Sequence, residues 1–163
     1  NYIVGCKHIP KKKINNSLFT GQAMSININD QGLRAPVNYE KSIPRNKFRI
    51  IALGDSFTFS LTEYEDSWPS LLQAQDPVLQ VLNMGACGYG IDQEYLWYKE
   101  DGGQFDTDLV ILGLIRDDMF RIESSVWVTG HGRPKFILVN DELKLTNVPV
   151  PKRIQPGEKI ITF

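Results

Sequence analysis

Cysteine is scarce in this sequence: 163 residues include two, Cys6 and Cys87. Two thiols make no disulfide framework, and without a Cys-x-x-Cys pair they make no metal site of the usual spacing. Two free thiols are the plain expectation, with a single Cys6–Cys87 bridge as the alternative in an oxidising compartment. Histidine is equally rare, with only His8 and His131. Long apolar runs are missing too. The longest, Leu109-Val110-Ile111-Leu112-Gly113-Leu114-Ile115, is far short of the roughly 20 residues that span a bilayer. No signal-peptide pattern opens the chain. Neither charge sign dominates: 18 Lys and Arg face 19 Asp and Glu, for a formal net charge of −1. That balance excludes the dense basic stripe of a nucleic-acid binder. The short run Lys11-Lys12-Lys13 is expected to be a solvated loop.

What is present is the composition of a soluble globular domain, 42% hydrophobic and 23% charged, with length for one ordinary core. The chain opens at Asn1 and stops at the strand-like Ile160-Ile161-Thr162-Phe163, so a piece of a longer protein is expected. Residues 1–46 are polar and loop-rich. Ser25-Ile26-Asn27-Ile28-Asn29 alternates like a half-buried strand, and Asp30-Gln31-Gly32 reads as a turn. This stretch, with Pro36 and Pro44, is expected to wrap the main domain rather than form its own.

From Phe48 the pattern sharpens. Phe48-Arg49-Ile50-Ile51-Ala52-Leu53 is a nearly continuous apolar run, as for a strand buried on both faces, and it ends at Gly54. Ser67 is placed to cap a helix with Pro69 in its first turn and Leu71 and Leu72 facing inward. Leu79-Gln80-Val81-Leu82 is a second strand. Asp92 is placed to cap a second helix carrying Tyr95, Leu96 and Tyr98, which Gly102-Gly103 ends. Asp108-Leu109-Val110-Ile111-Leu112 is a third strand. The order βαβαβ with short connections implies a parallel sheet with right-handed crossovers over residues 47–125. In the section 126–163, Phe136-Ile137-Leu138-Val139 and Leu143-Lys144-Leu145-Thr146 flank Asn140-Asp141-Glu142 as a β-hairpin, part of an insertion or lid. Val148-Pro149-Val150-Pro151 and Pro156-Gly157 have no place in a central strand.

Three polar or glycine-rich clusters fall at the carboxyl ends of the strands, where open α/β sheets place their sites. Gly54-Asp55-Ser56-Phe57-Thr58 follows the first. A serine at such a turn projects its hydroxyl from the sheet edge, and its own N–H is available to an oxyanion. The competing account is an ordinary polar turn. Asn83-Met84-Gly85-Ala86-Cys87-Gly88-Tyr89-Gly90 follows the second, and its glycines permit close backbone approach to a ligand. Arg116-Asp117-Asp118 follows the third. Its paired acids suit metal binding, orientation of a site, or simple solvation.

These three blocks together resemble the first three blocks of the SGNH/GDSL hydrolases, over about Ile50 to Asp118. Gly88-Tyr89-Gly90 with Asp92-Gln93, Lys135-Phe136 and Asn147-Val148-Pro149-Val150-Pro151 are similar to members linked to bacterial polysaccharide modification. The resemblance implies a three-layer α/β/α flavodoxin-like fold, incomplete here, carrying a β-hairpin insertion. It implies Ser56 as nucleophile, with Ser56 N–H and Gly88 N–H in the oxyanion hole and Asp55, Asn83 and Asp118 in support. It implies no metal or other cofactor, an acylated saccharide or other small ester as substrate, and a cell-envelope or periplasmic location. The chain departs from the pattern twice. Where the family has an oxyanion-hole asparagine, Asp117 or Asp118 stands, and an ionised carboxylate repels an oxyanion. The family's Asp-x-x-His block is also absent from this chain, so the histidine is expected beyond Phe163. His131, in Thr129-Gly130-His131-Gly132, is the internal substitute, while His8, before the core, is expected to be a surface or loop residue.

The leading expectation is therefore a serine esterase or O-acyltransferase working through an acyl-enzyme. A non-catalytic SGNH-like domain binding glycan or protein is the second. A Mg²⁺-dependent phosphoesterase using Asp55, Asp117 and Asp118 is the third. Of the tryptophans, Trp68 and Trp97 are expected to pack, and Trp127 is the candidate for stacking on a sugar ring.

Overall fold

A computed structural model describes residues 3–16, 24–127 and 130–152. Asn1, Thr129, Pro156, Gly157 and the strand-like end from Ile160 to Phe163 lie outside the described residues.

The protein is mixed α/β, with a three-stranded parallel sheet flanked by helices. Its strands are β3 (Phe48–Gly54), β4 (Leu79–Gly85) and β5 (Leu109–Gly113), in the order β4-β3-β5. Each starts where the sequence pattern places it, give or take a residue, and each ends in glycine. The central β3 is buried from Arg49 to Gly54. Its side chains alternate between two cores, as the pleat requires. Ile51 and Leu53 join Leu82, Met84, Tyr89, Leu96 and Trp97 on the face covered by α3 (Ile91–Glu100). Ile50 and Ala52 join Val81 on the other face, under Trp68 and Leu72 of α2 (Trp68–Gln73). Burying an Ile or Leu completely contributes about 2 kcal/mol, so these two layers account for the order of the sheet. Trp68 and Trp97 are thus packing residues, as expected.

Residues ahead of the sheet contribute to both the core and the site. β1 (Lys12–Asn16) and β2 (Met24–Ile28) pair antiparallel, and the alternating burial of β2 puts Met24, Ile26 and Ile28 against Phe59. Lys12 and Lys13 are exposed but lie in β1 rather than in a loop. Pairing with β2 gives these backbone groups partners that a lysine run does not advertise. Val4, Leu33, Ala35 and Tyr39 enter the main core. His8 lies in a loop, as expected, but not at the open surface. Its Nδ1 bonds Gly32 O at 3.0 Å and its ring meets those of Phe59 and Trp97, with burial pulling its pKa down.

Two helix readings need correction. In α2, Leu71 is exposed and only Leu72 reaches the core, because the helix has six residues and shows the sheet a narrow stripe. Ser67 is the N-cap residue of α2, as expected, but its hydroxyl donates to Tyr64 O at 2.7 Å instead of accepting from a helix N–H. In α3 the capping position is Gly90, and Asp92 is the second residue of the helix, inside its first turn and buried. After β5, Arg116–Arg121 form α4. The hairpin is as read: β6 (Lys135–Val139) and β7 (Glu142–Thr146) pair across Asn140 and Asp141, both at positive φ as a tight type I′ turn demands. Among the described residues no helix is long and apolar enough to cross a membrane.

Candidate active site

The register puts three glycines side by side at the carboxyl edge of the sheet. Gly54 pairs with Gly85 on one flank and with Gly113 on the other. The short helix α1 (Ser56–Phe59) lies directly on this row. A Cβ at Gly85 would stand 2.0 Å from Phe59 N, and one at Gly54 would stand 2.1 Å from Thr58 Oγ1. At Gly113 the nearest atom would again be Thr58 Oγ1, at 2.8 Å. Gly54 also has φ +151°, a conformation that side chains disfavour. The glycines let the chain turn over the sheet edge at backbone contact, which presents Ser56, half-buried, as the first residue of α1.

Asp55 caps that turn. It is fully buried, and Oδ1 accepts from Phe57 N–H at 2.9 Å. Ser56 Oγ donates to Oδ2 at a long 3.4 Å. Asn83 is a second fixing point. Its Nδ2 donates to Thr58 O at 2.9 Å and its Oδ1 accepts from Gly85 N–H at 2.9 Å, so this buried side chain clamps β4 to α1. On the far side, the buried Arg34 guanidinium donates to Phe59 O, Ser60 O and Thr62 O. A residue from the lead-in therefore closes the carboxyl end of α1, satisfying carbonyls that the helix leaves open.

The third block also forms a helix start. Asp118 is fully buried, with Oδ2 accepting from Ile115 N–H at 2.8 Å. Its neighbour Asp117 is exposed and lines a cavity of about 440 Å³ together with Gly88, Arg121, Trp127 and Arg133. Only Asp117, of the two candidates for the asparagine position, faces open space. Of Gly85, Gly88 and Gly90, Gly88 alone lines this cavity: Gly85 ends β4 and supports α1, and Gly90 caps α3. Gly88 has φ +71°, and the Trp127 ring lies over it, so that a Cβ would stand 2.1 Å from Cη2.

Arg121, which no local sequence signal singled out, joins the blocks. Its Nη1 lies 3.0 Å from Asp55 Oδ2, 2.5 Å from Asp118 Oδ1 and 2.8 Å from Tyr89 O. One nitrogen thus holds the loops after all three strands. The i,i+3 spacing of Asp118 and Arg121 was the available hint. Beneath lies Glu94, 1% exposed, with neither carboxyl oxygen hydrogen-bonded among the described residues. Burial, then the carboxylates of Asp118, Asp55 and Asp92, push its pKa up to about 8. Burial also raises those of Asp118 and Asp92. Nothing in the local sequence singles out Glu94, and the topology turns it inward.

The Mg²⁺ arrangement is not assembled. Among the described residues no group of three or more His, Cys, Asp and Glu could hold a metal ion. Asp55 and Asp118 each have both oxygens engaged by N–H donors or by Ser56. Cys6 and Cys87 are free rather than bridged, at residues exposed as a whole. Burial of the sulfur and the nearby Asp55 carboxylate raise the Cys87 pKa, which opposes thiolate formation. No family model matches the chain, and no curated protein matches it.

Proposed function

We propose that the chain carries the nucleophile of an SGNH/GDSL-type serine esterase or O-acyltransferase. The observation behind this is the seat of Ser56. It is the first residue after a strand-to-helix turn held by Asp55, on a glycine row, and Arg121, which bonds Asp55, lines the cavity that contains Gly88 and Asp117. The strand order supports a flavodoxin-like sheet. In order of occurrence the parallel strands run 2-1-3, the beginning of the 2-1-3-4-5 arrangement, with the site at the carboxyl ends.

In this mechanism Ser56 Oγ attacks the ester carbonyl, its proton leaves to a base, and the alcohol departs to give an acyl-enzyme. The N–H groups of Ser56 and Gly88 hold the oxyanion. Water or a sugar hydroxyl then takes the acyl group. The role of Asp55 is positional: it caps the turn and is itself held by Arg121, so Ser56 is presented in one orientation. In the family the resemblance points to, the base is a histidine, and an O-acylated saccharide of the cell envelope is the substrate the resemblance favours.

A second reading, a non-catalytic domain that binds glycan or protein, draws on one observation. The only hydrogen bond of Ser56 Oγ among the described residues is the long one to Asp55, and His8 is committed to Gly32 and two aromatic rings.

Labelling with a fluorophosphonate probe separates the two. This chain and the longest product of its gene are compared with Ser56→Ala in each. Labelling that disappears in Ser56→Ala is expected of the esterase. Folded protein that never labels, in either length, moves the conclusion to the binding domain.

A further inference from the structure

Arg34 is a buried cation without a carboxylate in contact. It is 0% exposed, and among the described residues no acid forms an ion pair with it. Its partners are carbonyls instead. Nη1 donates to Phe59 O and Ser60 O, Nη2 donates to Thr62 O, and the guanidinium lies over the Phe59 ring at 4.9 Å. Taking a guanidinium out of water is costly unless its charge and its N–H groups are answered. A buried arginine seated on neutral acceptors therefore fixes the backbone that carries them. Its own backbone is anchored as well, with its N–H donating to Asn83 O at 3.3 Å.

The backbone it fixes is the far end of the turn that begins at Ser56. Helix α1 is one turn long, and Ser60 closes it by donating its N–H to Ser56 O at 2.8 Å. The Ser60 carbonyl is in turn held by Arg34. Two hydrogen bonds thus connect the guanidinium to the candidate nucleophile, through Ser60. Ser60 has φ 63° and ψ 126°, a conformation that side chains disfavour and that persists only where the surroundings impose it. A single turn of helix has no stability of its own in water. Asn83 holds the Thr58 carbonyl, and Arg34 holds the next two.

We propose that Arg34 is a positioning residue for the reaction at Ser56: by holding the Phe59 and Ser60 carbonyls it fixes the one-turn helix and the place of the serine hydroxyl. The reaction is that of the esterase reading, while the placement of Ser56 does not depend on it. Arg34 acts through α1 and not through contact with an ester. The lead-in thereby becomes a working part of the site, since β2 packs on the Phe59 ring and Arg34 holds the Phe59 carbonyl.

The test compares Arg34→Lys with the parent, in this chain and in the longest product of its gene. Lysine keeps the charge and loses the fork that reaches several carbonyls at once. Fluorophosphonate labelling of Ser56 is expected to slow about tenfold to a hundredfold, the order that a misplaced reacting group costs. Hydrogen exchange at the Ser60 amide, which reports its bond to Ser56 O, is expected to quicken while the amides of β3 and β4 stay protected. Arg34→Ala leaves a space of guanidinium size. Guanidinium ion on the order of 50 mM, far below the molar range that unfolds proteins, is expected to restore its labelling, and sodium ion is not. If neither variant folds, the parent decides, since its Ser60 amide is expected to be protected like those of β3. Val81→Ala, a core change under α2, is expected to lose stability without slowing the labelling of folded protein. Unchanged labelling and unchanged Ser60 exchange in folded Arg34→Lys overturn the role, as does an unprotected Ser60 amide in the parent. Equal slowing in Val81→Ala at equal loss of stability also overturns it, because Arg34 would then be structural only. If the parent labels in neither length, the esterase reading falls, and Ser60 exchange alone decides whether Arg34 places Ser56.

Discussion

Arg121 Nη1 lies 3.0 Å from Asp55 Oδ2, across 66 residues of sequence, and the same nitrogen reaches Asp118 and Tyr89 O. Both carboxylates are fully buried, while the arginine side chain keeps about a quarter of its exposure. The pair is therefore a connection between loops more than a source of net stability, because desolvation offsets much of the attraction of buried ions. Removing one partner is another matter. Arg121→Met leaves Asp55 and Asp118 buried without their cation, and the expected loss is roughly 3 kcal/mol in urea unfolding. A loss below about 1 kcal/mol would mean the three loops are held by their own hydrogen bonds.

The glycine row should be intolerant of one methyl group. Gly85→Ala places a Cβ against the Phe59 backbone, which cannot rotate away as a side chain can. We expect a cost of about 2 kcal/mol or more and slower fluorophosphonate labelling, because α1 must lift. Normal stability with normal labelling would show that α1 does not rest on β4.

Gly88 and Trp127 form a testable pair. Gly88→Ala drives Cβ into the indole and strains a positive φ, so Trp127 fluorescence should change with the loss of stability. In a Trp127→Ala background only the backbone strain remains, on the order of 1 kcal/mol. A double-mutant cycle measures the difference, and a coupling of zero would contradict the contact.

Glu94 sets a pH dependence. Its folded-state pKa, raised to about 8 by burial and neighbouring carboxylates, exceeds the ordinary value of 4.5. Between those limits the folded protein keeps a proton that the unfolded chain has released, so its contribution to stability falls as pH rises across that window. Glu94→Gln cannot ionise. Its stability relative to the parent should rise from near zero at pH 4 to on the order of 3 kcal/mol at pH 8. A flat difference across that range would show Glu94 to be ionised or solvated.

Asp117→Asn restores an amide donor at the cavity. On the esterase reading, fluorophosphonate labelling of Ser56 should quicken tenfold or more, since one oxyanion donor is worth about 3 kcal/mol. An unchanged rate would place Asp117 outside the oxyanion hole.

The sequence by itself determined what depends on neighbours along the chain. Apolar runs as dense as Phe48–Leu53 and Leu79–Leu82 have no stable place except inside a sheet, and the hairpin around Asn140 and Asp141 follows from turn chemistry. Ser56 after Gly54-Asp55 was legible for the same reason, since a turn closing a buried strand is a local event. Only the tertiary structure decided which distant groups met there. Gly54, Gly85 and Gly113 are unremarkable apart and become a platform when the strands come into register. Arg34, Glu94, Arg121 and Arg133 read as surface charges in a linear sequence. Packing buried Arg34, Glu94 and Arg133 and half-buried Arg121, because a parallel sheet gathers its loops at one edge, where charges from separate segments can satisfy one another.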